Sequence, residues 1–344
     1  MEPGLNNTTL VPYNQTHDPY VGSSFSPTFD SFIVLLALVI IGINGLVINL
    51  FVCKSFLQEV TNYFLVSLAI SDGLTGLLVI PIYVSCTVSN QIGVCFSFDI
   101  AHRLTGFATV YHLLLITCDR YVAITHPFKH SRIFTSSVAI ALIIFVWCVS
   151  LFLPLIQLVW YDVDNLTDFG PDIARYELHY DLTCLFLAFV APVIIMVIAY
   201  TEMLRIVTRH ARAIEATTRE RLVLSKEKRA MAIFATMLFI YVVCWLSFFL
   251  SALNDDQGED RVNLPHVVRD ILFFFRFCTS VFNPLLYVFF KTDFKKALRE
   301  TVMQFRHCKG FSRGAHLQTY SLSNNEGEVH STPPATRFRT TRLV

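Results

Sequence analysis

The stretch Cys118-Asp119-Arg120-Tyr121 closes an apolar run that covers residues 96–117. A carboxylate beside a guanidinium, where a long apolar segment meets water, is costly to keep unless the two groups hold one another. Asp119 can restrain Arg120 through a charge-assisted hydrogen bond, and a change at that edge can release it. His102 stands eighteen residues before Arg120, five turns of helix away and therefore on the same face. A single helix thus connects a polar position near one side of a bilayer to a charged latch near the other. Such a helix suits a device that carries a signal across a membrane.

The composition agrees with a membrane setting. Of 344 residues, 54% are hydrophobic and only 15% charged, and Phe occurs 31 times; soluble domains carry roughly a quarter of their residues as charges. The net charge of +1 carries no signal for nucleic acid, and no nucleic-acid partner is expected. Nine cysteines are scattered without metal-ligand spacing and read mostly as packed thiols.

Residues 1–31 contain no Lys or Arg and offer three Asn-x-Thr glycan acceptors, at Asn6, Asn7 and Asn14. They lack the basic-then-apolar order of a signal peptide and read as an extracellular glycosylated tail. Seven apolar runs follow, near 32–53, 63–87, 96–118, 133–160, 180–204, 230–253 and 267–290. Each is long enough to cross roughly 30 Å of hydrocarbon as a helix. Lys54 lies in the first connection, Arg120, Lys129 and Arg132 in the third, and eight Lys/Arg in 205–229. The connections on the other side hold only Arg175 and Arg261. This asymmetry predicts an external N-terminus and an internal C-terminus, and puts Asn165, a fourth glycan acceptor, in an outside loop. The expected organisation is an all-α seven-helix membrane bundle over 32–290, at the plasma membrane. An amphipathic juxtamembrane helix over 291–308 and a polar cytoplasmic tail over 309–344 complete it. In the juxtamembrane segment Phe294, Ala297, Leu298, Val302 and Phe305 fall at helical spacing among Lys295, Lys296 and Arg299, as in a helix lying on an anionic leaflet. Cys308 is a palmitoylation candidate or a bare thiol.

Ionisable and amide groups inside spans need partners or a purpose. Asn44, Asp72 and Asn283, joined by Thr109 and Ser280, form an expected mid-membrane cluster that holds water or one Na⁺. The alternative is a hydrogen-bond network without an ion. No other cofactor is expected.

One landmark per span then comes into register. Asn44 in G-I-N-G-L-V-I, Leu68-Ala-Ile-Ser-Asp72, Asp119-Arg120-Tyr121, Trp147, Pro192 with Tyr200, Cys244-Trp245 and Asn283-Pro284-Leu-Leu-Tyr287 resemble the signatures of rhodopsin-like (class A) G-protein-coupled receptors. The resemblance runs from about residue 32 to 300. It implies a heterotrimeric G protein as partner, with arrestin and receptor kinases acting through the tail. It further implies that Arg120 is opened by ligand, that Glu227 restrains it at rest, that Tyr200 and Tyr287 move beneath it, and that Trp245 is a pivot under the ligand. Two departures stand out. Ser247 occupies the position where the family usually kinks its sixth helix with proline. Cys95 sits where the family anchors a disulfide to the second outside loop, yet 161–179 has no cysteine. Cys184 is taken as its partner, with Cys86 or an unpaired Cys95 as alternatives.

Amine receptors of this family carry Asp where this chain has His102, and an imidazole does not anchor an ammonium ion as a carboxylate does. Asp99 lies one turn nearer the outside, Arg103 follows His102, and Arg276 shares an inward stripe with Ser280, Asn283 and Tyr287. Asp99 and Arg276 either neutralise each other across the bundle, or Arg276 receives a carboxylate or phosphate. Trp245, Phe248, Phe249, Phe273 and Phe277 supply the apolar walls, so a small extracellular ligand of undecided charge is expected. Retinal is excluded, because 267–290 has no lysine. A transporter or channel is the other class for a chain with seven spans, but inverted repeats are not apparent. No nucleophile–base spacing points to an enzyme, and His112 reads as a packed, hydrogen-bonded histidine.

Overall fold

The computed structural model describes residues 26–161, 171–213, 218–255 and 265–304, some of them by backbone alone. Among them there is no strand. Seven helices are long and apolar enough to cross a membrane: Pro27–Cys53, Val60–Ser89, Ile92–Thr125, Ser136–Val159, Arg175–Arg209, Lys228–Ser251 and Val267–Phe290. They are called the first to seventh spans below. A short helix, Pro127–Ile133, connects the third to the fourth, and a further helix covers 292–304. Residues Met1–Ala297 make one compact unit that contains all seven spans; the second begins at Leu298.

Large apolar side chains point outward as well as inward. Leu38 is 63% exposed, Phe145 64% and Phe152 66%, on helices with almost no polar face. A helix apolar all round is stable only when its outside meets lipid or protein. The buried polar groups lie inside: Asn44, Asp72, His112, Asp119 and Asn283 are fully covered.

Proline positions shape the spans. Pro284 lies inside the seventh helix, where it has no N–H to give to the carbonyl one turn earlier, that of Ser280. Asn44 Nδ2 of the first span donates to that carbonyl at 3.0 Å, and to Ile40 O at 2.9 Å. The second and fifth spans each contain a π turn, Thr75–Val79 and Phe186–Val190, shortly before Pro81 and Pro192 respectively. Near the missing donor of Pro192, Tyr241 OH donates to Ala188 O at 3.0 Å and Tyr111 OH to Leu187 O at 3.4 Å. In the seventh and fifth spans the irregular carbonyls become docking points for a neighbouring span, as a bilayer demands of backbone polar groups.

The sixth helix is continuous from Thr218 to Asp255. Ser247, standing where proline was absent, donates to Cys244 O at 2.6 Å and to Leu272 O of the seventh span at 3.4 Å. It ties two helices together without removing a backbone donor.

The disulfide expectation is corrected: Cys95 pairs with Cys86, not Cys184, with a Cα–Cα separation of 4.8 Å. The second helix ends on Asn90 in the left-handed region, φ 51°, a conformation that asparagine tolerates. The chain reverses there at once into the third helix, which brings the two cysteines face to face. Cys184 is a buried free thiol on the fifth span, near Tyr180 and Arg103. The expected glycan acceptors Asn6, Asn7, Asn14 and Asn165 and the palmitoylation candidate Cys308 lie outside the described residues.

The helix over 292–304 is amphipathic, but its apolar stripe is divided. Phe294 and Ala297 are fully buried, and Phe294 packs on Tyr287 at a centroid distance of 5.4 Å. Val302 is exposed, and Phe305 lies outside the described residues. Lys296 Nζ sits 4.9 Å from the Phe56 ring centroid.

Candidate functional site

The third span is the spine of the site. His102 is 2% exposed. Its ring stacks on Trp245 at 5.1 Å and on Phe98 at 5.7 Å, and meets Phe248 and Phe277 edge-on at 5.5 Å each. Gly106, one turn further along, makes the Trp245 contact possible. A Cβ on Gly106 would lie 1.9 Å from Cη2 of the indole, so a ring fills the space of the missing methyl. Phe249 joins through Phe248 at 5.1 Å, and Phe273 through Phe277 at 5.3 Å. The predicted ligand set thus converges on one place.

Its charges are arranged differently from the first of the two sequence readings. Asp99 does not pair with Arg276. Arg103 Nε binds Asp99 Oδ2 at 2.6 Å, and Arg103 Nη1 binds Asp181 Oδ1 at 2.6 Å. The same guanidinium lies over the Tyr180 and Phe248 rings, at 5.1 and 5.4 Å. Gln157 Nε2 adds a bond to Asp99 Oδ2 at 3.3 Å, and Trp160 Nε1 donates to Glu177 Oε1 at 2.7 Å. Arg276 also lies over this aromatic group, 4.9 Å from the Phe248 ring and 5.2 Å from the Phe273 ring. The Asp99–Arg103 spacing of four residues was readable as a helical ion pair. Asp181, an acid inside the fifth apolar run, was a visible but unused signal.

His102, Trp245 and Arg276, with Thr75, Thr105, Thr109, Thr279 and Ser280, line a narrow cleft between the helices. The threonines Thr105 and Thr109 donate their hydroxyl hydrogens to carbonyls of their own helix. Beyond Ser280 lies the predicted polar cluster. Asn283 Nδ2 donates to Asp72 Oδ2 at 3.1 Å, while the other side-chain oxygens of Asn44, Asp72 and Asn283 have no donor among the described residues. Three buried acceptor oxygens without donors are a fitting ligand set for a hard monovalent cation or water. Thr109 sits one turn from the Thr105 carbonyl that also takes a hydrogen bond from Ser71 Oγ at 3.3 Å.

His112 contrasts with His102. Its Nδ1 contacts Ala108 O at 2.6 Å and its Nε2 contacts Ser67 Oγ at 2.7 Å. Trp147 Nε1 donates to the same Ser67 oxygen at 3.0 Å. A carbonyl accepts only, so Nδ1 carries the hydrogen and Nε2 accepts from Ser67. This is the packed, satisfied histidine that was expected.

At the opposite end of the third span, Asp119 is fully buried and Arg120 partly so. Arg120 Nη2 and Nε donate to Asp119 Oδ2 at 2.7 and 3.0 Å, and Nη2 also donates to Thr61 Oγ1. Thr61 Oγ1 donates to Asp119 Oδ2 at 2.7 Å, and His130 Nε2 meets Asp119 Oδ1 at 2.8 Å. Thr61 and His130 had no signal in the sequence that set them apart. The Glu227 side chain lies outside the described residues. Tyr121 OH donates to Glu202 Oε2 at 2.8 Å, and Tyr200 OH meets Thr117 Oγ1 at 2.9 Å. Tyr287 OH is buried without a hydrogen-bond partner among the described residues. Just past the seventh span, Lys291 Nζ donates to Asn62 Oδ1, and Asn62 Nδ2 donates to Leu57 O at 2.7 Å. Burial pushes the Lys291 ammonium down to about 8, against the pull of Asp293.

Seven apolar helices, with a narrow cleft beside His102 and a buried acid–guanidinium pair at the other end of the third span, describe a multi-pass membrane protein. The chain belongs to the 7 transmembrane receptor (rhodopsin) family, whose sequence model matches residues 43–287. It is similar to the histamine H2 receptor of Cavia porcellus, 26% identical over 310 residues that cover 86% of this chain and 84% of the relative. It resembles the Rattus norvegicus histamine H2 receptor at 29% identity over 309 residues, 85% of this chain and 84% of the relative. A D(1)-like dopamine receptor of Takifugu rubripes is 27% identical over 325 residues, 80% of this chain and 69% of the relative.

Proposed function

We propose that this receptor binds a small extracellular molecule beside His102 and Trp245 and in response activates a heterotrimeric G protein at its Arg120 end. One observation carries the reading. A single helix, Ile92–Thr125, holds His102 against the sixth-span Trp245 at one level and the Asp119–Arg120 pair at the other. A ligand that favours another placement of Trp245 acts on the sixth helix, and through it on what the sixth helix leaves open around Arg120. To shift that balance the ligand has to bind the open arrangement more tightly than the closed one.

In this reading the N-terminus is outside, as the Lys/Arg asymmetry favours, with glycans on the Asn-x-Thr sites. Glu227 restrains Arg120 at rest, Tyr200 and Tyr287 move in beneath it, and arrestin and receptor kinases act on the tail. The oxygens of Asn44, Asp72 and Asn283, with Thr109 and Ser280 close by, hold Na⁺ in the resting state. A second reading of the ligand follows from the relatives, named as histamine and dopamine receptors: a cationic amine held by Asp99.

The test is nucleotide exchange on a purified heterotrimer by membranes that carry the full chain. Replacing Arg120 with Ala is expected to abolish exchange while surface expression and ligand binding persist, and Glu227→Ala is expected to raise ligand-free exchange. Undiminished exchange in Arg120→Ala would remove the latch from the mechanism.

A further inference from the structure

The π turn of the fifth span, Phe186–Val190, is held from two sides. Pro192 has no N–H, so the carbonyl four residues before it, that of Ala188, loses the donor that a regular α-helix would give it. The sixth span supplies another: Tyr241 OH donates to Ala188 O at 3.0 Å, with the tyrosine only 1% exposed. The phenol lies between the rings of Phe189 and Trp245, out of reach of bulk water. Breaking this bond leaves a hydroxyl and a carbonyl unpaired in a low-dielectric interior, which makes it costly to lose.

From the other side the same turn is fastened to the third span, where Tyr111 OH donates to Leu187 O at 3.4 Å. Further bonds join the same two spans nearer each end. Arg103 holds Asp181 at 2.6 Å, Tyr200 OH meets Thr117 Oγ1 at 2.9 Å, and Tyr121 OH donates to Glu202 Oε2 at 2.8 Å. The fifth span is stitched to the third along its length and does not follow the sixth freely. A sixth helix that swings away from Arg120 leaves Ala188 O behind.

The same tyrosine ends a stack of rings that begins at His102. His102 lies nearly parallel to Trp245, at 14° and 5.1 Å, and Trp245 nearly parallel to Tyr241, at 20° and 5.9 Å. Trp245 and Tyr241 are one turn apart on the sixth helix, so a displaced indole slides across the phenol ring and changes its aim at Ala188 O.

We infer that Tyr241 is a positioning residue for switching. Its hydroxyl, bonded to the carbonyl that Pro192 leaves bare, holds the sixth helix against the fifth at rest, and movement of Trp245 releases it. The consequence at the G protein rests on the receptor reading above; the restraint itself rests on the hydrogen bond.

The experiment uses the full chain in lipid nanodiscs, without ligand. Spin labels on Lys129→Cys and Lys228→Cys, two exposed positions, report the distance from the sixth helix to the connector after the third. The background carries Cys53→Ser, Cys118→Ser, Cys148→Ser and Cys308→Ser, so that exposed and tail thiols stay unlabelled. Thermal unfolding reads stability, and nucleotide exchange on a purified heterotrimer reads coupling separately. Tyr241→Phe removes one oxygen and keeps the ring. It is expected to raise both the ratio of long to short distances and ligand-free exchange by roughly threefold to tenfold, the worth of one net hydrogen bond. Tyr111→Phe makes the same deletion at the same turn from the third span. It is expected to lower the unfolding temperature and leave distance and exchange unchanged. In Pro192→Ala the fifth helix can offer Ala188 O its own N–H, so adding Tyr241→Phe there is expected to change the ratio by less than about twofold.

An unchanged distance distribution in Tyr241→Phe, whatever its unfolding temperature, makes the bond structural only and overturns the inference. An equal rise in Tyr111→Phe, or an undiminished one in the Pro192→Ala background, does the same. Longer distances without exchange from any form leave the restraint standing and remove the G-protein reading, so the two failures are distinguishable.

Discussion

Gly106 shows how much a single hydrogen atom decides. The indole of Trp245 occupies the volume of an absent Cβ, 1.9 Å from where it would lie. Backbone on one side and a stack of rings on the other leave little room to yield. Gly106→Val is therefore expected to push Trp245 off His102, destabilise the receptor by about 1–3 kcal/mol as overpacking does, and shift the tryptophan fluorescence of the folded protein. An unchanged thermal midpoint and spectrum would mean that the contact is not maintained. Lys291 makes a different demand. Its ammonium is nearly covered, and its pKa falls from 10.5 to about 8, chiefly through burial. The folded state thus binds fewer protons than the unfolded state between those values, and stability rises with pH across the window. The expected gain from pH 8 to pH 10.5 is about 3 kcal/mol, with no contribution from this group below pH 7. In Lys291→Met that rise should be missing from the difference between two pH-resolved unfolding series. Neither residue was marked in the sequence: one glycine among many and one lysine at a helix end become particular only through what packs on them.

At the scale of elements, prolines decide where helices join. Pro284 withholds a donor from Ser280 O, and Asn44 replaces it from another helix. Asn44→Ala is expected to cost about 1–3 kcal/mol, because an acceptor is then orphaned away from water. In a Pro284→Ala background the helix supplies its own N–H, so the same change should cost measurably less. Additive losses in that double-mutant cycle would sink the explanation. The elements themselves were legible. Seven long apolar runs can be little else, and the seven spans lie where those runs predicted. The fifth helix was not read in full, since it begins at Pro171 and carries Arg175 and Glu177 ahead of the apolar run in which Asp181 lies. Those acids enter the protein only because Arg103 and Trp160 are there to meet them. The Cys86 pairing was an available alternative, set aside because family habit pointed to a loop that has no cysteine.

For the whole molecule, buried polar groups recur at three levels of the third span's surroundings: His102, the Asp72–Asn283 pair and the Asp119–Arg120 pair. Those residues were readable, because polar atoms inside apolar runs declare themselves. Their pairing was not, because Asp99 has a guanidinium at short range in Arg103 and another across the bundle in Arg276, and sequence gives no distances. The unmatched oxygens of Asn44, Asp72 and Asn283 lead to a prediction about the intact receptor. NaCl is expected to raise its unfolding temperature over N-methylglucamine chloride of equal ionic strength, by mass action on the folded state. Asp72→Asn is expected to erase the difference. Equal midpoints in the two salts for the unaltered receptor would leave water as the occupant.

The Cys86–Cys95 bridge closes a joint of nine residues between consecutive helices, and the connector from the fourth span to the fifth contains no cysteine. Mild reductant therefore acts on one local staple and unlocks no covalently fastened cover. A cysteine introduced into that connector can accordingly be labelled by thiol dyes as a reporter of ligand traffic, without displacing a native crosslink.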